Sequence, residues 1–270
     1  PATACVLRRQ RDVFKDTRFE RLGDISVGHL YNLRNSAPYR AQRVVLTKTR
    51  PTWRVDIGVR KAPAPEGRAG FIRIDSVHQG DQDGIKGLYH INAVDCVTQW
   101  QVVATVQTIS EAHLLPVIEQ MLEQFPFEIL GFHADNGSEY VNHRVAKRLD
   151  KLKVEFTRSR PRHSNDNGLA ETKNGAVVRK EFGFAHIPQR HAARFNIYCA
   201  EYLNPFLNFH RPCLFSTDKA DPKKPGRIKR VYRPQDAMTP LDKLASLPDV
   251  HTCLREGITL EHLRELATAL

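Results

Sequence analysis

The chain has 270 residues, a formal net charge of +11 and 41% hydrophobic residues, enough apolar material for a real core in one large domain or a few small ones. No apolar run approaches the ~20 residues that a membrane span needs, and no secretory leader is visible. The five cysteines are scattered, with no CxxC pair, so free thiols in a reducing cytoplasm are expected rather than a disulfide or zinc framework. The surplus of Lys and Arg favours a polyanionic partner, nucleic acid above all.

Residues 1–39 are polar and basic up to Arg21 and then turn periodic. A Gly23-Asp24 turn, Ser26 as N-cap, and Val27, Leu30 and Leu33 at helical spacing predict helix, tight turn, helix. With Val27 and Leu30 inward, His29, Tyr31, Asn32 and Arg34 face out, where they can touch base edges or phosphates. The same pattern also fits an ordinary helical hairpin. Residues 40–70 are charged and broken by Pro51, Pro63 and Pro65, which predicts an extended basic linker.

Residues 71–212 carry the predicted core. Apolar, β-branched runs predict strands at Phe71–Val77, Gly87–Val97, Gln99–Val106, Glu128–Ala134 and Val154–Thr157. Between them, Ser110 to Phe125 and Asn142–Leu152 are expected as helices. A polar loop ending at Asn167-Gly168 leads into a further helix, Leu169 to Phe182. Gln189–Asn204 is read as the last core helix, its stripe of Phe195, Cys199, Tyr202 and Phe206 buried, with Pro205 ending or bending it. Residues 213–270 read as an exposed basic arm followed by short helices at Met238–Leu247 and Thr259–Leu270, the last with an amphipathic face.

Three acids stand at the mouths of these elements. Asp75 sits within or at the end of the first strand, Asp135 ends the fourth, and Glu171 falls in the first turn of its helix, where negative charge is favoured. Carboxylates so placed can hold a pair of hard divalent cations and draw phosphate oxygens to them. Each acid taken singly could equally be a solvated loop residue.

The flanks tip the balance. Asp75, Asp135 and Glu171, with 35 residues between the last two, resemble the Asp-Asp-35-Glu signature of the integrase and transposase superfamily. "DNGSEY" after Asp135, "HSNDNGLAE" leading to Glu171 and "NFHRP" at 208–212 resemble its flanking motifs, and the whole chain is similar to bacterial insertion-sequence transposases. The resemblance implies an RNase H-like α/β fold with a five-stranded mixed sheet flanked by helices. It is preceded by the helix-turn-helix-like segment and followed by the basic arm. It also implies Mg²⁺, or Mn²⁺ in its place, as two ions on Asp75, Asp135 and Glu171. The activity implied is 3′-end cleavage followed by strand transfer, on double-stranded element ends and target DNA, by a homo-oligomer in a bacterial cytoplasm. Relatives often place a cation seven residues after the glutamate. Here that residue is Val178, so Lys173, Arg179 and Lys180 are the nearby cations expected at DNA. A plain nuclease of the same fold and a DNA-binding protein that no longer cleaves are the competing readings.

Overall fold

The computed structural model describes residues 2–42, 58–135, 147, 150, 154–160, 163, 166–220 and 228–269. The helix expected at 142–152 falls almost wholly outside them. The chain divides into two compact units, Pro1–Trp53 and Arg54–Leu270.

The first unit is helical: α1 (Ala2–Asp12), α2 (Val27–Asn35) and α3 (Ala37–Gln42). Helix α1 was not legible in a stretch that reads as polar and basic, because it carries no apolar stripe. Arg9 and Arg11 in its last turn suit the helix dipole. Arg11 also reaches Asp24 at 2.7 Å, and its guanidinium lies where a side chain on Gly23 would stand. Ser26 caps α2 as expected, its Oγ accepting from the His29 amide at 3.1 Å. The inward face does not follow the sequence reading. No residue of α2 is buried, and Val27 and Leu33 are exposed alongside the polar residues.

The second unit is built on a six-stranded sheet. Its strands are β1 (Val59–Arg60), β2 (Phe71–His78), β5 (Tyr89–Asp95), β6 (Gln101–Val106), β7 (Gly131–Ala134) and β8 (Glu155–Arg158), in the order β1-β8-β7-β2-β5-β6. A small ribbon, β3 (Asp81–Gln82) and β4 (Ile85–Lys86), lies between β2 and β5 in the chain. The strands β2, β5 and β6 run antiparallel, whereas β7, β8 and β1 are added parallel. Three antiparallel strands extended by parallel ones form the RNase H-like sheet. The five expected strands are present, and the sixth, β1, lies in the stretch read as linker. Two residues pairing at an edge leave no periodicity to find.

Side chains alternate across β2. Ile72 and Ile74 point to one face, where α4 (Glu111–Glu123) supplies Leu114, Ile118 and Met121. The helices α7 (Pro240–Ala245), α8 (Val250–Cys253) and α9 (Leu260–Ala269) join the same core through Leu244, Val250 and Leu263. That face is the large hydrophobic core.

Arg73, Asp75 and Val77 point to the other face, which is smaller and mixed, its polar groups lying beside a second hydrophobic cluster that includes Val77, Val177 and Leu203. It is covered by α5, running 168–182, and by α6, running 189–210. Helix α5 has α-turns at Gly168–Lys173 and Arg179–Phe182 on either side of a π segment, Asn174–Val178. Helix α6 continues through Pro205 to His210 with further π segments. Its asparagines do what a seventh strand would do. Asn208, Asn204 and Asn196 accept from the amides of Gln101, Val103 and Thr105 at 2.8, 2.8 and 2.6 Å. They donate back to the same residues' carbonyls at 2.8, 3.1 and 2.9 Å. Alternate backbone groups of the edge strand are thereby satisfied, and its edge is closed to other chains.

This amide face displaces the expected aromatic one. Cys199 is buried and Phe195 half-buried, but Tyr202 and Phe206 are 63% and 52% exposed. The basic arm is also more ordered than expected. β9 (Cys213–Ala220) and β10 (Ile228–Met238) pair antiparallel as a largely exposed hairpin.

Candidate active site

The acid at the centre of the polar face is Asp75, on β2 opposite Asn92 of β5. Its Oδ1 accepts from the Ser76 amide at 2.8 Å and its Oδ2 from Asn174 Nδ2 at 2.7 Å. Burial pushes its pKa up to about 6, against those two hydrogen bonds, and the negative charges of Asp135 and Glu171 push in the same direction as burial. Asp75 is close enough to Asp135 and to Glu171 to feel the charge of each.

The register explains why. β7 is parallel to β2 with Ala134 beside Ile74, so Asp135 and Asp75 each stand one residue beyond the same pair. Glu171 arrives on α5, which is held onto the sheet by amides rather than by apolar packing alone. Asn167 Nδ2 donates to the Ile74 carbonyl at 3.1 Å, and Asn92 Nδ2 to the Ala170 carbonyl at 3.2 Å. A relay of carboxamides then crosses the face. Gln101 donates to Asn92 at 2.8 Å, Asn92 to Asn174 at 2.8 Å, and Asn174 to Asp75. Asn174, Asn92, Asn167 and Gln101 were not assigned from sequence. One signal was available, since Asn174 lies three residues after Glu171 and therefore one turn along the same helical face.

The donors at the mouth are carboxylate oxygens, the ligand type of Mg²⁺ and Mn²⁺. Two acids repelling a third, half-buried carboxyl give a cation something to neutralise. Among the described residues, no three acid, histidine or cysteine side chains are drawn close enough to enclose an ion.

Neighbouring charges are committed elsewhere. Asp166, five residues before Glu171, is held well below the usual carboxylate range by Arg160, which contacts it through Nη2 at 2.8 Å and Nε at 2.9 Å. His133 is buried against Thr157 and Ser159, and burial, aided by Arg73, drives its pKa down to about 4. It is therefore a neutral packing residue at pH 7.

The cations expected at DNA separate into two groups. Lys173 is only 6% exposed, its Nζ donating to Cys213 Sγ at 3.0 Å. Arg179 turns inward, bonding the His78 carbonyl at 2.8 Å with its guanidinium 4.9 Å from the Phe184 ring. Lys180 is exposed. Val178, at the position where relatives carry a cation, is fully buried. The π segment that seats Val177 and Val178 in the core carries Arg179 inward with it. In the first unit, His29, Tyr31, Asn32 and Arg34 are all exposed on α2.

Residues 50–164 match the family model described as the integrase core domain, a little under half of the chain. Over that stretch the chain is similar to the integrase core domain. Glu171 lies beyond the residues matched to this integrase core. An uncharacterised protein of Sinorhizobium fredii, y4rM, is 30% identical over 119 residues, covering 44% of this chain and 34% of that protein. The chain therefore spans about a third of the length of the curated relative it matches.

Among solved structures, the catalytic core domain of BIV integrase aligns at 16% identity over 53% of this chain and 85% of that one, TM-score 0.37. The HTLV-2 integrase catalytic core domain in complex with magnesium aligns at 14% over 52% and 86%, TM-score 0.37. A simian T-cell lymphotropic virus intasome aligns at 14% over 77% and 70%, TM-score 0.38. At these scores the likenesses add nothing to the topology read directly from the integrase-like sheet.

Proposed function

We propose that this chain is a DNA transposase or integrase that cleaves a DNA 3′ end and joins it to target DNA, with Asp75, Asp135 and Glu171 as its catalytic acids. The observation that carries this reading is the Asp75 carboxyl, half-buried, raised toward neutrality, and repelled by two further acids on neighbouring elements of an integrase-type core. A structural acid in that position would be expected to have a cationic partner or a full set of donors. Asp75 has two donors and two like charges.

Held by the three acids, a pair of Mg²⁺ or Mn²⁺ ions would lower the pKa of an attacking hydroxyl and offset charge on the leaving oxygen. The protein's share is positioning. Asn174 fixes the carboxylate of Asp75, while Asn92 and Asn167 fix the helix that brings Glu171. Water attacks the phosphate at the element end, whose 3′-oxygen leaves as a 3′-hydroxyl; that hydroxyl then attacks a target phosphate, whose own 3′-oxygen leaves, with no covalent protein intermediate. The exposed face of α2 would provide the address on double-stranded DNA, and two active sites in a homo-oligomer would process two ends.

The test uses purified protein, labelled oligonucleotides carrying the element ends, and Mg²⁺. Joined strand-transfer products are expected, and Asp135→Asn should abolish both cleavage and joining while DNA binding persists. Cut fragments without joined products would favour the plain nuclease. No cleavage by the parent would favour the non-catalytic DNA-binding protein, and unchanged cleavage by the variant would overturn the role of Asp135.

A further inference from the structure

We infer that a cationic pocket beside the acid site, between α5 and the β9–β10 hairpin, binds the phosphate backbone of the DNA strand that enters that site. The pocket has a volume of about 770 Å³, within the range of roughly 300–1,000 Å³ that encloses an extended organic ligand. It is too large for a lone ion.

Its lining includes Arg73, Lys173, Arg211, Arg230 and Lys243, and no acidic side chain among the described residues. The positive charge is not neutralised within the pocket. The Nε of Arg73 is buried without a hydrogen-bond partner. Lys173 is more than nine-tenths buried with a thiol, a weak acceptor, against its ammonium. A buried cation so poorly matched is costly unless an anion joins it.

Position selects the anion. Arg73 lies two residues before Asp75 on the same face of β2. A strand whose phosphate reaches Asp75 therefore passes Arg73 and the pocket it lines. Tyr232, also in the lining, is exposed enough to stack a base. This pocket rests on the proposed DNA reaction for its ligand, yet it is read out by binding and not by catalysis.

The test measures fluorescence anisotropy of a labelled duplex oligonucleotide in EDTA, across a salt series, with the full chain. Arg230→Gln with Lys243→Gln removes two lining cations from the hairpin side and α7. Arg190→Gln with Arg264→Gln removes the same charge from exposed positions outside the lining. Thermal unfolding checks that all three proteins are equally folded.

The pocket pair should bind on the order of 50-fold more weakly at 0.1 M salt, with the slope of log K against log salt reduced by about 2. The outside pair should change affinity by less than about threefold. Equal weakening by both pairs, no weakening by either, or no binding by the parent would overturn the pocket. If the pocket pair binds normally while the parent cleaves and joins DNA, the pocket fails and the reaction stands. If the pocket pair loses binding and the parent never cleaves, the pocket stands and the reaction fails.

Discussion

Two aspartates on one pair of strands show how differently the same side chain can be supplied with hydrogen-bond donors. Asp95 ends β5 opposite Ile72, and Asp75 lies three residues along β2 opposite Asn92. Asp95 is fully buried, and five donors converge on it. Its Oδ1 takes the amides of Gly70 and Phe71 at 2.9 and 3.1 Å. Its Oδ2 takes the amides of Val97 and Thr98 and the Thr98 hydroxyl at 3.0, 2.7 and 2.8 Å. Burial raises its pKa and the donors oppose that rise. Asp75 has two donors and faces two acids. The first corner is closed around its charge. The second is left with like charges beside it.

The contrast is broken most forcefully at Asp95. Asp95→Asn places an amide N–H₂ against amide donors and should cost about 3 kcal/mol or more, seen as a fall of roughly 10 °C in melting temperature. A loss near zero would mean that the donors are incidental.

Next in size is Asn174→Ala, which frees the Asp75 carboxylate without touching an acid. Cleavage should fall about 10- to 100-fold, the usual scale for groups that orient ligands, with Asn174→Asp failing to rescue because it adds a fourth negative charge. Unchanged cleavage would remove Asn174 from the positioning role.

The smallest effect has the opposite sign to the first. The folded pKa of Asp75, about 6, lies above its value near 3.9 in an unfolded chain. Its protonation therefore favours the folded state fully below pH ~4, and that contribution is lost as pH rises through about 6. Without divalent metal, Asp75→Asn should be about 1–2 kcal/mol more stable than the parent at pH 7.5, allowing for solvent at a half-buried group. The difference should vanish by about pH 4. Denaturant unfolding at the two pH values measures it.

What the sequence disclosed follows from physical pattern. β2, β5 and β6 are β-branched runs long enough to read; Asp75 lies inside β2, and Asp135 follows the end of β7. Glu171 follows a glycine that opens a helix. The rest had no pattern to read. β9 and β10 are exposed along most of their length, so neither shows alternation, and β1 is two residues long. The amides of Asn92, Gln101 and Asn174 acquire meaning once β5, β6 and α5 meet, as do Asn196, Asn204 and Asn208 against the edge of β6. Tyr202 and Phe206 have the spacing of a buried stripe, but the asparagines occupy the side facing the sheet.

The most direct test of a shared cation site is Mn²⁺ binding followed by electron paramagnetic resonance of the free ion, comparing the parent with Asp75→Asn at pH 7.5. The parent should take up Mn²⁺ that Mg²⁺ displaces, and the variant should lose at least tenfold in affinity while staying folded. A variant that binds Mn²⁺ as tightly as the parent would contradict the cation site at Asp75.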